Sequence, residues 1–435
     1  MRLNRLSPPG GATILAKMEQ TNPGGSVKDR MAYNMVRRAE EQGLIKPGAT
    51  IVESTSGNTG LGLAMVAAVR GYRCIFTIPD KMSTEKIDML KAYGAEVIVT
   101  RTDLDHDHPE SYVQIAKRIA RDTPNAFYTD QYENMSNPEA HYLTTGPEIW
   151  DDTGGEIDAL VGGIGTGGTI SGAAKYLKEQ AAETGRDIKV ICPDPEGSIY
   201  KQMHETGKAD PPSIYRVEGI GHDFMVGTLD FNVVDEVRNI SDRDSFLTAR
   251  RLAREEGIFC GGSTGTAVFG AMQVAEELGP GKTVVVILCD SGDRYLSKCF
   301  SENWMKDMGY LDSEARPDTV RDLMRRHRQN VHFAEPHDLL GNVVRRMSEL
   351  GISQMPVRPD ENSTRHRMIH EVDLLQGLVQ GKFSADDQVT HAAKPLQGEV
   401  SLDESLARVQ SILNADNVAV VVDNDAITGV ISKID

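Results

Sequence analysis

Between about residue 30 and residue 310, short apolar runs rich in β-branched residues alternate with longer stretches of helical period. The runs at 50–53, 73–78, 96–99, 159–161, 189–192 and 283–288 read as strands, and stretches such as 31–41 and 61–70 read as helices. This alternation predicts an α/β fold with a mainly parallel sheet covered by helices. Ligands of such sheets sit outside the carboxyl ends of the strands, so the glycine-rich turns after several runs are where chemistry is expected.

The pattern breaks after Tyr310, where Ser313-Glu-Ala-Arg-Pro-Asp-Thr319 reads as a polar linker. Beyond it, 338–347 and 404–413 share apolar positions at helical spacing, and each precedes a strand-like run, at 352–357 and 418–422. Two copies of one β-α-β unit are expected there. The chain thus divides into a large domain over 1–312, a linker over 313–320 and a smaller α/β module over 321–435.

The length of 435 residues suits two or three such units. With 39% hydrophobic and 26% charged residues, and no apolar run near the ~20 residues that span a bilayer, the composition is that of a globular protein in water. The N-terminus, Met1-Arg-Leu-Asn-Arg-Leu-Ser-Pro-Pro-Gly-Gly11, lacks the continuous apolar stretch of a secretory signal, which predicts a cytoplasmic protein. Cys74, Cys192, Cys260, Cys289 and Cys299 are odd in number and include no C-x-x-C pair, so neither a disulfide framework nor a zinc site is suggested. A net charge of −17 opposes non-specific attraction to nucleic acid or an anionic membrane and leaves small-molecule chemistry.

Four segments carry that chemistry. Asn22-Pro-Gly-Gly-Ser-Val-Lys28-Asp-Arg30 places a lysine between a tight glycine turn and a helix, where it can be desolvated enough to act as a Schiff-base amine. Ser54-Thr-Ser-Gly-Asn58-Thr-Gly60 follows a strand and opens a helix, whose unpaired N–H groups and dipole suit an amino-acid carboxylate or, more simply, an ordinary N-cap. Gly162-Gly-Ile-Gly165-Thr-Gly167-Gly168-Thr169 repeats that arrangement and suits a phosphate. Its Gly163, Gly165 and Gly168 also satisfy the dinucleotide fingerprint, but the acidic residue that fingerprint requires has only Asp194 as a candidate, rather far on and in a proline-flanked turn. The fourth segment, Cys260-Gly-Gly-Ser263-Thr-Gly265-Thr266, is on its own only a helix start.

Taken together and in this order, the four segments resemble the fold type II pyridoxal-phosphate enzymes of the cysteine-synthase and cystathionine β-synthase family, over essentially residues 1–310. The resemblance implies a two-subdomain enzyme with parallel or mixed sheets and pyridoxal 5′-phosphate as cofactor. It makes Lys28 the catalytic Schiff-base lysine, places Asn58 at the ring 3′-oxygen, and seats the phosphate on Gly165, Thr166, Gly167, Gly168 and Thr169. Ser263 meets the pyridine nitrogen, and Thr55, Ser56, Thr59 and Gln131 line the pocket for the substrate carboxylate. The activity implied is that of a lyase joining L-serine to L-homocysteine, with O-acetylserine plus sulfide as the alternative pair. Segments 130–132, 137–142 and 194–198 and Trp304 lean to the first reading, whereas 144–150 is equally similar to the cysteine synthases.

The C-terminal module is similar to tandem CBS domains, which implies regulation by an adenosyl ligand. Ser432-Lys-Ile-Asp435 resembles the ribose-binding T/S-x-x-D element, with Asp435 as the ligand residue, while the first copy has His370-Glu-Val-Asp373 instead. The second repeat stops before its usual closing helix, and an I-G-N-T-P-L strand ahead of residue 3 is missing. The sequence also lacks the heme-binding extension of animal members, so no heme is expected. His222 stands where tyrosine is frequent and sets the second-substrate pocket apart. Amino-acid substrates, a homodimer or larger homo-oligomer, and neither nucleic acid nor membrane complete the expected partners. A contrasting reading makes the chain a nucleotide-sensing binding protein with a decayed catalytic half, and the retained Lys28, Asn58 and Ser263 argue against it.

Overall fold

The computed structural model describes all residues except 81, 102–103, 105–107, 210, 312–318, 327–330, 361–364, 415–417, 424–425 and 433–435, with the side chains of 325–326 also undescribed. The chain forms two compact units, Met1–Asp312 and Ser313–Asp435. The linker expected over 313–320 lies mostly outside the described residues, and Thr319 and Val320 already belong to the second unit, where Thr319 bridges to Ser405.

Among the described residues, nine strands build the first unit: β1 (Thr13–Met18), β2 (Thr50–Ser54), β3 (Arg73–Pro79), β4 (Glu96–Thr100), β5 (Ala126–Tyr128), β6 (Ala159–Val161), β7 (Lys189–Pro195), β8 (Glu236–Ile240) and β9 (Thr283–Leu288). They form two sheets, in the orders β1-β9-β6-β7-β8 and β4-β3-β2-β5, and every ladder in both is parallel. All six runs read as strands from the sequence are strands. The three that escaped, β1, β5 and β8, are edge strands. A central parallel strand is covered on both faces and so reads as a continuous apolar run, whereas an edge strand such as Glu236-Val-Arg-Asn-Ile240 can leave polar side chains outside.

Because successive side chains point to opposite faces, each central strand feeds two cores. Val285 and Ile287 join Leu160, Val190 and Leu177 on one face, while Val284, Val286 and Leu288 join Ala159, Val161 and the helix Gly262–Leu278 on the other. Each fully buried valine, leucine or isoleucine among these contributes about 1.5–3 kcal/mol. This two-sided burial holds the carboxyl ends of β6, β7 and β9 in a fixed relation, and the chemistry-bearing turns grow from those ends.

In the second unit, helix Leu340–Leu350 lies between a parallel bridge partner, Ala334, and strand Gln354–Val357. Helix Leu406–Asn414 likewise lies between the parallel strands Glu399–Val400 and Ala419–Asp423. Each half therefore contains the β-α-β unit anticipated from the sequence, and each adds an antiparallel strand, Arg367–His370 or Ala426–Ile431. No described helix is long and apolar enough to cross a membrane.

Candidate active site

Lys28 is the first residue of the helix Lys28–Glu41. The turn before it closes on its own side chain: Asp29 accepts a 2.6 Å bond from the Gly24 amide, and Gly25 takes φ +75°, a conformation glycine tolerates. One loop is stitched to this turn directly, and a second is stitched to that loop. Val27 N donates to Cys289 O at 2.8 Å, Ser291 N donates to Gly25 O at 3.1 Å, and Gly261 N donates to Asp290 O at 3.1 Å. The loop after β9 thus joins the lysine turn to the start of the helix Gly262–Leu278, which carries the buried Ser263.

Asn58 enters the same platform from the other sheet. Its Nδ2 donates to Asp290 Oδ2 at 2.7 Å, and its Oδ1 accepts from Arg294 Nη1 at 2.5 Å. Arg294 is buried and also donates to Gly24 O, while the Tyr295 hydroxyl donates to Asp290 Oδ2 at 2.6 Å. Asp290, Arg294 and Tyr295 are site-building residues that the sequence reading did not single out. The one signal for them was position, since they follow the carboxyl end of a central parallel strand.

The loop between β2 and the helix Asn58–Arg70 is closed from within. The buried Thr55 Oγ1 accepts from the amides of Gly57 at 2.9 Å and Gly60 at 3.1 Å. Thr59 Oγ1 donates to Gln131 Oε1 at 2.6 Å, and Gln131 Nε2 donates to Ser54 O at 2.7 Å. Gln131 is in turn seated by its own amide on the buried Glu53, whose carboxyl is pushed up to about 8 by burial. Among the described residues, no bond uses the amides of Ser56, Asn58 and Thr59. The structure therefore brings Thr55, Ser56, Thr59 and Gln131 together, with the Thr55 hydroxyl spent on the turn.

The loop between β6 and the helix Gly168–Glu183 is held from outside. Its carbonyls face protein donors: Ile164 O accepts from Gly221 N at 2.7 Å, Gly165 O from Tyr200 Oη at 3.0 Å, and Thr166 O from Thr228 Oγ1 at 2.5 Å. A peptide's N–H points opposite its C=O, so these anchors turn the following amides the other way. Among the described residues, no bond uses the amides of Gly165, Thr166, Gly167, Gly168 and Thr169. Five consecutive unclaimed N–H groups at a helix start form a cradle whose donors suit an anion such as phosphate. The competing dinucleotide reading fails at Asp194, which lies at the carboxyl end of β7 as that fingerprint needs but is fully buried and pushed up to about 7 by burial.

Charges around the site are arranged in partly buried pairs. Arg30 bonds Glu19 at 2.7 Å and Glu148 at 2.6 Å, and Lys17 reaches Glu148 at 2.7 Å. Burial would raise Glu148, but the hydrogen bonds from Arg30 and Lys17 outweigh it and hold the carboxyl at about 2. His141, wholly buried, is pushed down to about 3 by burial and by the neighbouring Lys28 and Arg30 cations, and so is neutral. Glu218 stays ionised because Lys86, at 2.5 Å, and Lys298, at 2.6 Å, outweigh its burial. His222 sits in an aromatic cluster with Tyr132, Phe224 and Tyr200, its ring centroid 5.2 Å, 4.5 Å and 6.3 Å from theirs.

In the second unit Asp373 pairs with Lys394 at 2.8 Å, whereas Asp435 lies outside the described residues.

The chain is similar to known proteins. The sequence profile of a family described as pyridoxal-phosphate dependent enzyme matches residues 1–290, and that of the CBS domain matches residues 320–380. The chain is 41% identical over 431 residues to a cystathionine beta-synthase of Rattus norvegicus, spanning 97% of this chain and 75% of that one. It is 43% identical over 317 residues to cysteine synthase 1 of Neurospora crassa, spanning 72% of this chain and 83% of that one. The crystal structure of an O-acetylserine dependent cystathionine beta-synthase from Helicobacter pylori superposes with a TM-score of 0.62 at 37% identity, spanning 68% of this chain and 94% of that one. A lysine turn, a self-closed loop and an open amide cradle on parallel-strand ends thus coincide with similarity along nearly the whole length, and the chain belongs to the pyridoxal-phosphate dependent enzymes of the cystathionine β-synthase and cysteine synthase family, with a CBS domain attached.

Proposed function

We propose that this chain joins L-serine to L-homocysteine, giving cystathionine and water, with Lys28 as the catalytic residue. The observation that carries the reading is the stitching of the Lys28 turn to the Ser263 helix and to Asn58 through the loop after β9, beside an amide cradle suited to phosphate. When bound, pyridoxal phosphate supplies an electron-withdrawing ring that eases loss of the substrate's Cα proton and Cβ substituent. The amides of Gly165, Thr166, Gly167, Gly168 and Thr169 would hold its phosphate, Asn58 would meet its 3′-oxygen, and Ser263 would offer the ring nitrogen a neutral hydroxyl. A neutral partner does not enforce ring protonation as a carboxylate would, which favours replacement at Cβ over transamination. The amides of Ser56 and Thr59 receive the substrate carboxylate in a pocket that Thr55 and Gln131 shape. Lys28 would be the residue that holds the cofactor's aldehyde carbon, and its free amine would take the proton from the substrate Cα as general base.

A second substrate pair, O-acetylserine with sulfide, uses the same residues, and the O-acetylserine dependent relative favours keeping it in view. Turnover of the purified chain with serine plus homocysteine, against O-acetylserine plus sulfide, separates the two. Cystathionine formation is the expected result, and turnover confined to the second pair would reverse the assignment. Lys28→Ala should abolish either activity while the fold persists. Borohydride reduction of the parent should place the reduced cofactor on the peptide bearing Lys28.

For the module we propose an adenosyl ligand bound by the second repeat. The Lys394 pairing neutralises Asp373 and leaves the first repeat without a free ribose-binding carboxylate. Calorimetry with S-adenosylmethionine is expected to show binding that Asp435→Ala weakens and Asp373→Ala leaves intact.

A further inference from the structure

His141 takes no part in the chemistry above, yet it lies against the cradle. It sits on the helix Ser136–Leu143, which packs closely on the helix Gly168–Glu183 because Gly172 presents no side chain: a Cβ there would collide with Pro138 O and approach His141 Cβ to 2.9 Å. This approach puts the imidazole between two hydroxyls, with Nδ1 2.8 Å from Thr145 Oγ1 and Nε2 3.2 Å from Thr169 Oγ1.

A proton count sets the direction of both bonds. A neutral imidazole carries one N–H, so one ring nitrogen donates and the other accepts. Thr145 is fully buried, and its hydroxyl has His141 Nδ1 as its hydrogen-bond partner among the described residues. If Nδ1 carried the proton, the Thr145 hydroxyl hydrogen would be buried without an acceptor, a penalty that native interiors avoid. The satisfied arrangement has Thr145 O–H donating to Nδ1 and Nε2–H donating to Thr169 Oγ1. The Thr169 hydrogen is then committed to neither and is left for an anion on the neighbouring amides.

We infer that His141 is a positioning residue, which fixes the tautomer and thereby makes the Thr169 hydroxyl a donor to the cofactor phosphate. This inference rests on the phosphate-cradle reading. Reversed, the same three groups would offer the phosphate only an oxygen lone pair, and Thr169 would repel it.

Reconstitution of the full-length apo-chain with pyridoxal phosphate, followed by cofactor absorbance and fluorescence titration, tests it without reference to turnover. Thr169→Val is expected to weaken cofactor affinity by roughly 10- to 100-fold, the scale of one hydrogen bond to a charged group. His141→Leu should weaken it similarly, and the double variant should bind no worse than Thr169→Val, because His141 acts through Thr169. His141→Gln, whose amide N–H can stand in for Nε2–H, should retain affinity near the parent, whereas His141→Asn, which reaches only the Nδ1 position, should not. Additive losses in the double variant, or equal affinities for the Gln and Asn variants, would overturn the inference. Should the leucine variant fail to fold, the Gln and Asn pair decides the matter. Gly165→Val measured alongside separates the two levels: if it leaves affinity unchanged, the cradle itself is misassigned, while loss in that variant with additive His141 and Thr169 effects sinks only the role of His141.

Discussion

The two glycine loops, at 54–60 and 165–169, begin alike and end differently. Both follow a parallel strand, both open a helix, and both are rich in glycine and hydroxyl-bearing residues. In the first, Thr55 takes two of the loop's amides for itself, Gln131 holds the Thr59 hydroxyl and the Ser54 carbonyl, and the amides of Ser56, Asn58 and Thr59 are left among the described residues. In the second, the threonine hydroxyls look outward, Thr166 accepting from Asn137 Nδ2 at 3.0 Å and Thr169 meeting His141, so all five amides stay unclaimed. A helix start is a general anion site, but its capacity depends on how many donors its own side chains consume. Three amides suit the single charge of a carboxylate, and five suit a phosphate.

The contrast can be broken most forcefully at Gly165. A side chain there would drive into Gly219 O, and at Gly167, held at φ +83°, it would meet Leu229 Cβ at 2.6 Å. The obstruction falls on neighbouring protein, so Gly165→Val should weaken cofactor retention by displacing the cradle, on the order of 100-fold. Dialysis against buffer followed by cofactor quantitation would show it. Retention equal to the parent would erase the distinction between the loops.

A smaller effect is expected at Thr55. Thr55→Val leaves two amides without their acceptor and should lower stability by about 1–3 kcal/mol. It should also raise KM for the amino acid while leaving cofactor affinity nearly unchanged, as denaturant titration and initial-rate kinetics would show. Loss of cofactor instead would mean that the two loops are not specialised as described.

The gentlest probe is pH. Burial and the Lys28 and Arg30 cations keep His141 at about 3 in the folded chain, against an ordinary value of 6.5. The unfolded chain therefore binds a proton here as pH falls through 6.5, while the folded chain does not until about pH 3. This contribution to stability is complete above pH 6.5 and is lost progressively below it. His141→Gln removes the titration and should flatten the fall in melting temperature between pH 6.5 and 4. Parallel slopes for parent and variant would contradict the buried neutral imidazole.

Much of this was legible in the chain before any coordinates. The central strands announce themselves because burial on both faces demands unbroken apolar runs, as in Thr283–Leu288. Lys28 and the glycine loops stand out because tight turns and helix starts impose residue choices within a few positions. Of the edge strands, β4 was legible, whereas β8, which carries arginine and asparagine, β5, which is three residues long, and β1, which precedes the alternating stretch, stayed hidden. Hidden too were the partners that give each loop its character. Asp290 and Arg294 reach Asn58 across more than 230 residues, and Tyr200 and Thr228 reach the cradle across 35 and 62. Local sequence encodes which backbone groups a turn exposes, because that is set by φ, ψ and neighbours along the chain. Which of those groups remain available to a ligand depends on distant side chains that only folding brings within hydrogen-bonding distance, and no spacing along the chain records that encounter.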